Sequence, residues 1–137
     1  MRIVIDTNVV VSAIFFSGNP AELLKLVLAR RSILAVATPE ILEEYQATID
    51  YLLKKYDGKE LNFTMASLFS AMELIHSSSK ITVYRDPDDD KFISCAIDGQ
   101  CHYIISGDKD LLVLKEYQNV RIVTIANFIR RLTKNDE

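Results

Sequence analysis

The chain reads as an α/β domain built on a buried parallel sheet. Short β-rich apolar runs alternate with segments of helical periodicity along its length. The strand-like runs are continuously apolar rather than alternating, as strands covered on both faces require. Its 137 residues, 49% of them hydrophobic with 4 Gly, 3 Pro and 2 Cys, suffice for a core of ordinary size and exclude collagen-like, disordered and disulfide-scaffold chains. No repeat or linker divides the sequence, so one domain over residues 1–137 is expected.

The first strand is Ile3-Val4-Ile5, ended by Asp6-Thr7-Asn8. Asn19-Pro20 then reads as a cap with proline at the first helical position, and Leu23, Leu24, Val27 and Leu28 form the apolar stripe of the helix it opens. Residues 33–37 are the second strand. Thr38-Pro39 opens a long helix with Ile41, Leu42, Tyr45, Ile49, Leu52, Leu53 and Tyr56 at three-to-four spacing. Asp57-Gly58 interrupts it, and a second helix carries Leu61, Met65, Leu68, Phe69, Met72 and Ile75. These two helices are expected to form an appended hairpin over about residues 39–76.

Residues 81–84 are the third strand, followed by a turn at Arg85-Asp86-Pro87 and a helix bearing Phe92, Ile93, Ala96 and Ile97. The fourth strand, Tyr103-Ile104-Ile105, ends in Ser106-Gly107-Asp108, with a short helix at about 111–114. Residues 121–124 form the fifth strand, and a terminal helix runs through Phe128 and Leu132.

No apolar run is long enough to span a membrane, and Asp6 and Asn8 interrupt the one N-terminal stretch that a signal peptide would need, so a cytoplasmic domain is expected. Cys95 and Cys101, with His76 and His102, are too few and wrongly spaced for a zinc site and read as reduced, buried thiols. The net charge of −3 argues against a broadly basic nucleic-acid footprint. That average conceals a local excess, because Asp86, Asp88, Asp89 and Asp90 fall within five positions. With four acids committed to a bound cation, the rest of the chain turns slightly positive.

Acids stand where parallel sheets bind ligands, beyond the carboxyl ends of the strands. Asp6 follows the first strand and Asp108 the fourth, with Asp110 two residues on. Asp6 interrupts an apolar run, where a charge needs a partner; Lys91 and Lys109 are the candidate ion-pair partners. Asp86, Asp88 and Asp89 read as helix-capping, solvated charges. Asp90 lies about 90° from the centre of its helix's apolar face, at the border where a carboxylate reaches a crevice. On the long helix, Glu43 and Glu44 both remain candidates, with the angular count leaning to Glu44. Convergent carboxylates repel one another unless a counter-charge is present. An oxygen-only set suits Mg²⁺ or Mn²⁺, and such a cage suits hydrolysis of a phosphodiester.

Four segments carry a resemblance: Ile5-Asp6-Thr7-Asn8 after the first strand, Ile41-Leu42-Glu43-Glu44-Tyr45 in a helix, the run from Asp86 to Phe92, and Ser106-Gly107-Asp108-Lys109-Asp110-Leu111-Leu112. In this order they resemble the PIN-domain family, and within it the toxin components of prokaryotic toxin–antitoxin pairs. The resemblance implies a three-layer α/β/α fold with a central parallel sheet of about five strands. It further implies a Mg²⁺- or Mn²⁺-dependent endoribonuclease acting on single-stranded RNA, an antitoxin partner and a homodimer. Carried over by position, the catalytic, metal-binding acids are Asp6, Glu44, Asp90 and Asp108, with Asp110 as an auxiliary metal ligand. Thr7, Asn8 and Ser106 match supporting polar positions. Arg85, Lys91 and Lys109, close in sequence to these acids, are candidates for phosphate contact. Residues 50–62 depart from the pattern, because many relatives turn at a proline where this helix continues. A PIN-like module that binds RNA or protein without catalysis is the alternative reading. A phosphatase using Asp6 as nucleophile is a further one, weakened because Asn8 stands where such enzymes want a second Asp.

Overall fold

The computed structural model describes residues 1–29, 32–78 and 87–135. In chain order the elements are β1 (Arg2–Ile5), α1 (Thr7–Phe15), α2 (Asn19–Ala29), β2 (Leu34–Ala37), α3 (Pro39–Lys55), α4 (Met65–Ala71) and β3 (Glu73–Leu74). They continue with α5 (Pro87–Asp98), β4 (Tyr103–Ile105), α6 (Lys109–Leu112), β5 (Glu116–Tyr117), β6 (Val120–Val123) and α7 (Ile125–Asn135).

One sheet results, in the order β3-β2-β1-β4-β6-β5, parallel except for β5 against β6. Ile3, Val4 and Ile5 are buried in succession, which requires cover on both faces of the sheet and gives the α/β/α layering. From β1 the chain first builds outward through β2 and β3, then crosses to β4 and β6 on the other side. The strand order therefore reverses between β1 and β4, whose partners are Ile3 with Tyr103, Val4 with Ile104 and Ile5 with Ile105. At that reversal the connections diverge and leave a crevice at the carboxyl ends of the two strands.

Sequence features locate the helices that frame it. Thr38 caps α3, its hydroxyl accepting from the Ile41 N–H at 3.2 Å, with Pro39 at the first helical position. Tyr45 on this helix is fully buried, and its hydroxyl donates to the Ile5 carbonyl. That bond ties α3 to the last residue of β1 and sets the height of the neighbouring Glu44 above the sheet. α5 packs directly on β1, β2 and β4, and α1 lies against α2 and α3.

Three features depart from the sequence reading. α1 was not expected: Val9-Val10-Val11 has poor helix propensity, and burial of nearly the whole helix overrides it. The helix expected to carry residues 61–75 contains only Met65–Ala71. Leu61 precedes it, Met72 caps it, and Glu73 and Leu74 pair with Val36 and Ala37 as β3. The apolar spacing continues beyond α4 because the flanking residues also pack against the core. A sixth strand, β5, joins β6 through a two-residue hairpin at Gln118-Asn119, where φ is 46° and 72°. That is the backbone of a type I′ turn, built here without glycine. The strand expected at 81–84 and the turn at 85–86 lie outside the described residues.

Gly99 shows how tightly α5 joins the sheet, since a Cβ there would stand 2.9 Å from the Cys95 carbonyl and 3.1 Å from both Ile75 and Val36. Removing the Tyr45 hydroxyl is the cleaner probe of the strand–helix tie. Tyr45→Phe is expected to lower stability by about 1–2 kcal/mol in denaturant titration, the cost of a lost buried hydrogen bond. An unchanged midpoint and slope would show that this bond contributes nothing.

Candidate active site

The crevice between β1 and β4 is a cleft of about 260 Å³ lined by Asp6, Thr7, Asn8, Glu44, Thr48, Asp89, Phe92 and Asp108. Four carboxylates from four separate segments thus share one opening. Asp6 comes from the end of β1, Glu44 from α3, Asp89 from the first turn of α5, and Asp108 from the loop after β4.

Asp6 is the most deeply set of these acids, at 6% exposure. It occupies the cap position of α1, yet its side chain makes no capping bond. Its backbone N–H donates to the Ile105 carbonyl at 2.9 Å, extending the β1–β4 ladder by one residue. The fully buried Ser106 hydroxyl donates to Asp6 Oδ2 at 2.6 Å and accepts from the Asp108 N–H at 2.9 Å. Ser106 therefore couples the positions of the two acids. Asp108 in turn caps α6, its Oδ1 accepting from the Asp110 N–H at 2.9 Å.

Burial raises the Asp6 pKa above the ordinary carboxylate value, against hydrogen bonds from Ser106 and the Thr7 backbone that lower it. Asp108 and Glu44 add repulsion in the same direction as burial. Glu44 is held differently: Thr7 Oγ1 donates to Oε2, and Lys91 Nζ lies 2.6 Å from Oε1. The lysine weighed as a partner for Asp6 thus pairs with Glu44.

The expected residues are placed unevenly. Asp6, Thr7, Asn8, Glu44 and Asp108 line the cleft. Ser106 lies beneath it, bonded to Asp6. Glu43 is exposed and Glu44 half-buried, so the side chain turned to the cleft is that of Glu44. Asp110 and Lys109 are exposed and are not among the lining residues. Arg85 lies outside the described residues. Asp90 is half-buried and does not line the cleft, where its neighbour Asp89 does. The helix itself explains the exchange. Asp89, Phe92, Ile93 and Ala96 fall at i, i+3, i+4 and i+7, so Asp89 lies about 10° from the centre of the buried stripe. That signal was present in the sequence, but the usual capping role of a first-turn aspartate obscured it.

Oxygen donors alone, several of them anionic around a buried carboxylate, fit a hard divalent cation in chemistry. Among the described residues, however, no three acidic, histidine or cysteine side chains already converge as a ready ligand group. Cys95 and Cys101 are free, buried and not among the lining residues, with burial pushing their thiols up to about 12 and about 11.

The raised Asp6 pKa makes its charge a cost to folding. The native state retains the Asp6 proton to higher pH than the unfolded chain, so this group's contribution to stability falls as pH rises through the two values. In EDTA, Asp6→Asn is expected to melt about 3 °C or more above the wild type near neutral pH. The difference should shrink as pH falls and vanish by about pH 3, below the unfolded carboxyl's pKa, where the wild-type group is neutral in both states. A lower melting temperature for the variant at neutral pH would mean that the ionised carboxylate stabilises the fold.

A family model described as PIN domain matches residues 2–110, from β1 through every acid of the cleft. An uncharacterized protein of Methanocaldococcus jannaschii is 34% identical over 120 residues, covering 85% of this chain and 76% of that protein. Among solved structures, a chain of the crystal structure of VapBC2 from Rickettsia felis, bound to a DNA fragment from their promoter, superposes with a TM-score of 0.57. It is 18% identical, and the match covers 90% of this chain and 98% of that one, a likeness of fold. With the sheet order, the cleft at its reversal and the family match in agreement, the chain belongs to the PIN-domain family.

Proposed function

We propose that the chain is a metal-dependent ribonuclease, cutting single-stranded RNA as the toxin of a toxin–antitoxin pair. The observation that carries this reading is the meeting of Asp6, Glu44, Asp89 and Asp108 in one cleft at the switch point of the sheet. Asp6, Glu44 and Asp108 would hold Mg²⁺ or Mn²⁺ together with an acid from the first turn of α5. When bound, the cation supplies charge neutralisation and Lewis acidity for hydrolysis of a phosphodiester.

The protein's own groups do the positioning. Ser106 holds one oxygen of Asp6 and fixes the Asp108 backbone beside it. Thr7 and Lys91 orient the two oxygens of Glu44. Asp6, the most deeply buried of these acids, would present its carboxylate to the cation from the floor of the cleft. Lys91, paired with Glu44 and largely buried, also adds positive charge near the cleft that a substrate phosphate would meet.

The acid supplied by α5 is either Asp89, favoured by the cleft lining, or Asp90, favoured by the family resemblance. Asp110 remains an auxiliary candidate, although it is exposed. The antitoxin partner and a homodimer follow from the toxin reading and share its support. A second reading, a PIN-like module that binds without catalysis, is favoured by the Lys91–Glu44 pair and by the lack of a ready three-ligand group among the described residues.

Cleavage of a labelled single-stranded RNA is expected with Mg²⁺ or Mn²⁺ and to stop in EDTA. Asp6→Asn and Asp108→Asn should each lower the rate by about 100-fold or more. Asp89→Asn and Asp90→Asn, compared side by side, should differ, the larger loss identifying the α5 ligand. Equal cleavage by wild type and Asp6→Asn would remove the nuclease assignment. No Mn²⁺ binding by calorimetry, with a native circular dichroism spectrum, would establish the binding module instead.

A further inference from the structure

The acids occupy the carboxyl edge of the sheet, and the amino edge carries the opposite charge. Met1, Tyr103 and Arg121 stand at the starts of β1, β4 and β6, where two adjoining cavities of about 420 and 430 Å³ share Tyr103. The first is lined by Tyr103, Asn127, Arg130, Arg131 and Lys134, and the second reaches Arg121. Four cations meet here in a chain whose net charge is −3.

We infer that this edge is a second site, separate from the acidic cleft, that takes the phosphodiester backbone of a nucleic acid. Three observations support it. Arg130 and Lys134 are exposed, lie one helical turn apart on α7 and repel each other at that spacing. Neither forms an ion pair with a carboxylate among the described residues, and Glu116, paired in register with Arg121, forms none with it. Among the described residues the positive charge of Arg130 and Lys134 is therefore unpaired.

Arg131 is also pre-oriented. Its Nε donates to Asn127 Oδ1 at 3.1 Å, and its guanidinium lies 5.7 Å from the centre of the Tyr103 ring. Tyr103 is in turn fixed edge-on against Phe128, with ring centres 5.5 Å apart. A guanidinium held by one nitrogen and one face keeps its terminal N–H groups for a bidentate acceptor, the geometry a phosphate matches.

The lining chemistry favours a nucleic acid over an acidic protein segment. Protein partners anchor on apolar or aromatic side chains in desolvated pockets. Around α7 this surface offers guanidinium, ammonium, amide and phenol groups, the set that contacts phosphates and sugars. The inference does not draw on the nuclease reading, since every residue named lies at the other edge of the sheet.

The test is fluorescence anisotropy of a labelled single-stranded RNA in EDTA, in the Asp6→Asn background, as a function of salt. The double variant Arg130→Glu/Lys134→Glu is expected to bind about 10-fold or more weakly, with the slope of log K against log salt reduced by about 2. Arg131→Gln should weaken binding in the same direction. Matching melting temperatures would establish that both variants fold. Unchanged affinity and slope in folded variants would overturn the site. Displacement of the RNA by polyglutamate as readily as by unlabelled RNA would assign the surface to an acidic protein chain instead.

Discussion

The structure turns on one carboxylate held almost out of water at the point where the strand order reverses. Asp6 sits there because its backbone continues the β1–β4 ladder to Ile105, and its side chain is retained by a serine from the neighbouring strand end. Moving it would break the pairing of the two central strands. Its burial is therefore a consequence of the sheet, and the sheet imposes a desolvation cost on its charge. The surrounding elements answer only part of that cost. Ser106 and the Thr7 backbone donate to Asp6, while the acids that α3 and the loop after β4 bring to the same opening, Glu44 and Asp108, add repulsion to it. A fold selected for stability alone would place an apolar or neutral residue at this position.

Much of this was legible in the sequence because the relevant signals are local. Continuous apolar runs marked β1, β2, β4 and most of β6, and Thr38-Pro39 marked the start of α3 to the residue. Asp6 was legible because a charge in a buried run demands explanation. Glu44 over Glu43 needed the resemblance, since the helical angles of the two differ too little to decide. What was hidden depended on tertiary context. Val9-Val10-Val11 is helical only because the core receives nearly all of α1. The turn at Gln118-Asn119 has positive φ at both positions without a glycine to announce it. The place of Asp89 in the cleft lining is of another kind. The periodicity was on the chain, and the frequent capping role of aspartate in a helix's first turn masked it.

The two edges of the sheet show why net charge misleads for this chain. Acids collect where β1 and β4 end, and cations collect where β1, β4 and β6 begin. A parallel sheet produces such separation readily, because all carboxyl ends lie on one side and all amino ends on the other. Averaging over the chain cancels two fields that a ligand would meet separately. At physiological ionic strength screening acts over about 8 Å, so each edge presents its own sign to an approaching polyanion.

The place of Lys91 completes the electrostatic argument. A lysine in a cleft of carboxylates lowers the repulsion wherever it binds, but its choice of partner decides what remains. Paired with Glu44, it neutralises an acid with a third of its side chain still exposed, whose charge water already screens in part. Asp6, far more deeply buried, receives among the described residues neutral donors from Ser106 and the Thr7 backbone. The internal cation thus reduces the total repulsion enough for the acids to be gathered. It leaves the most desolvated carboxylate with its demand for positive charge unmet, which raises its proton affinity and favours a cation that enters from outside.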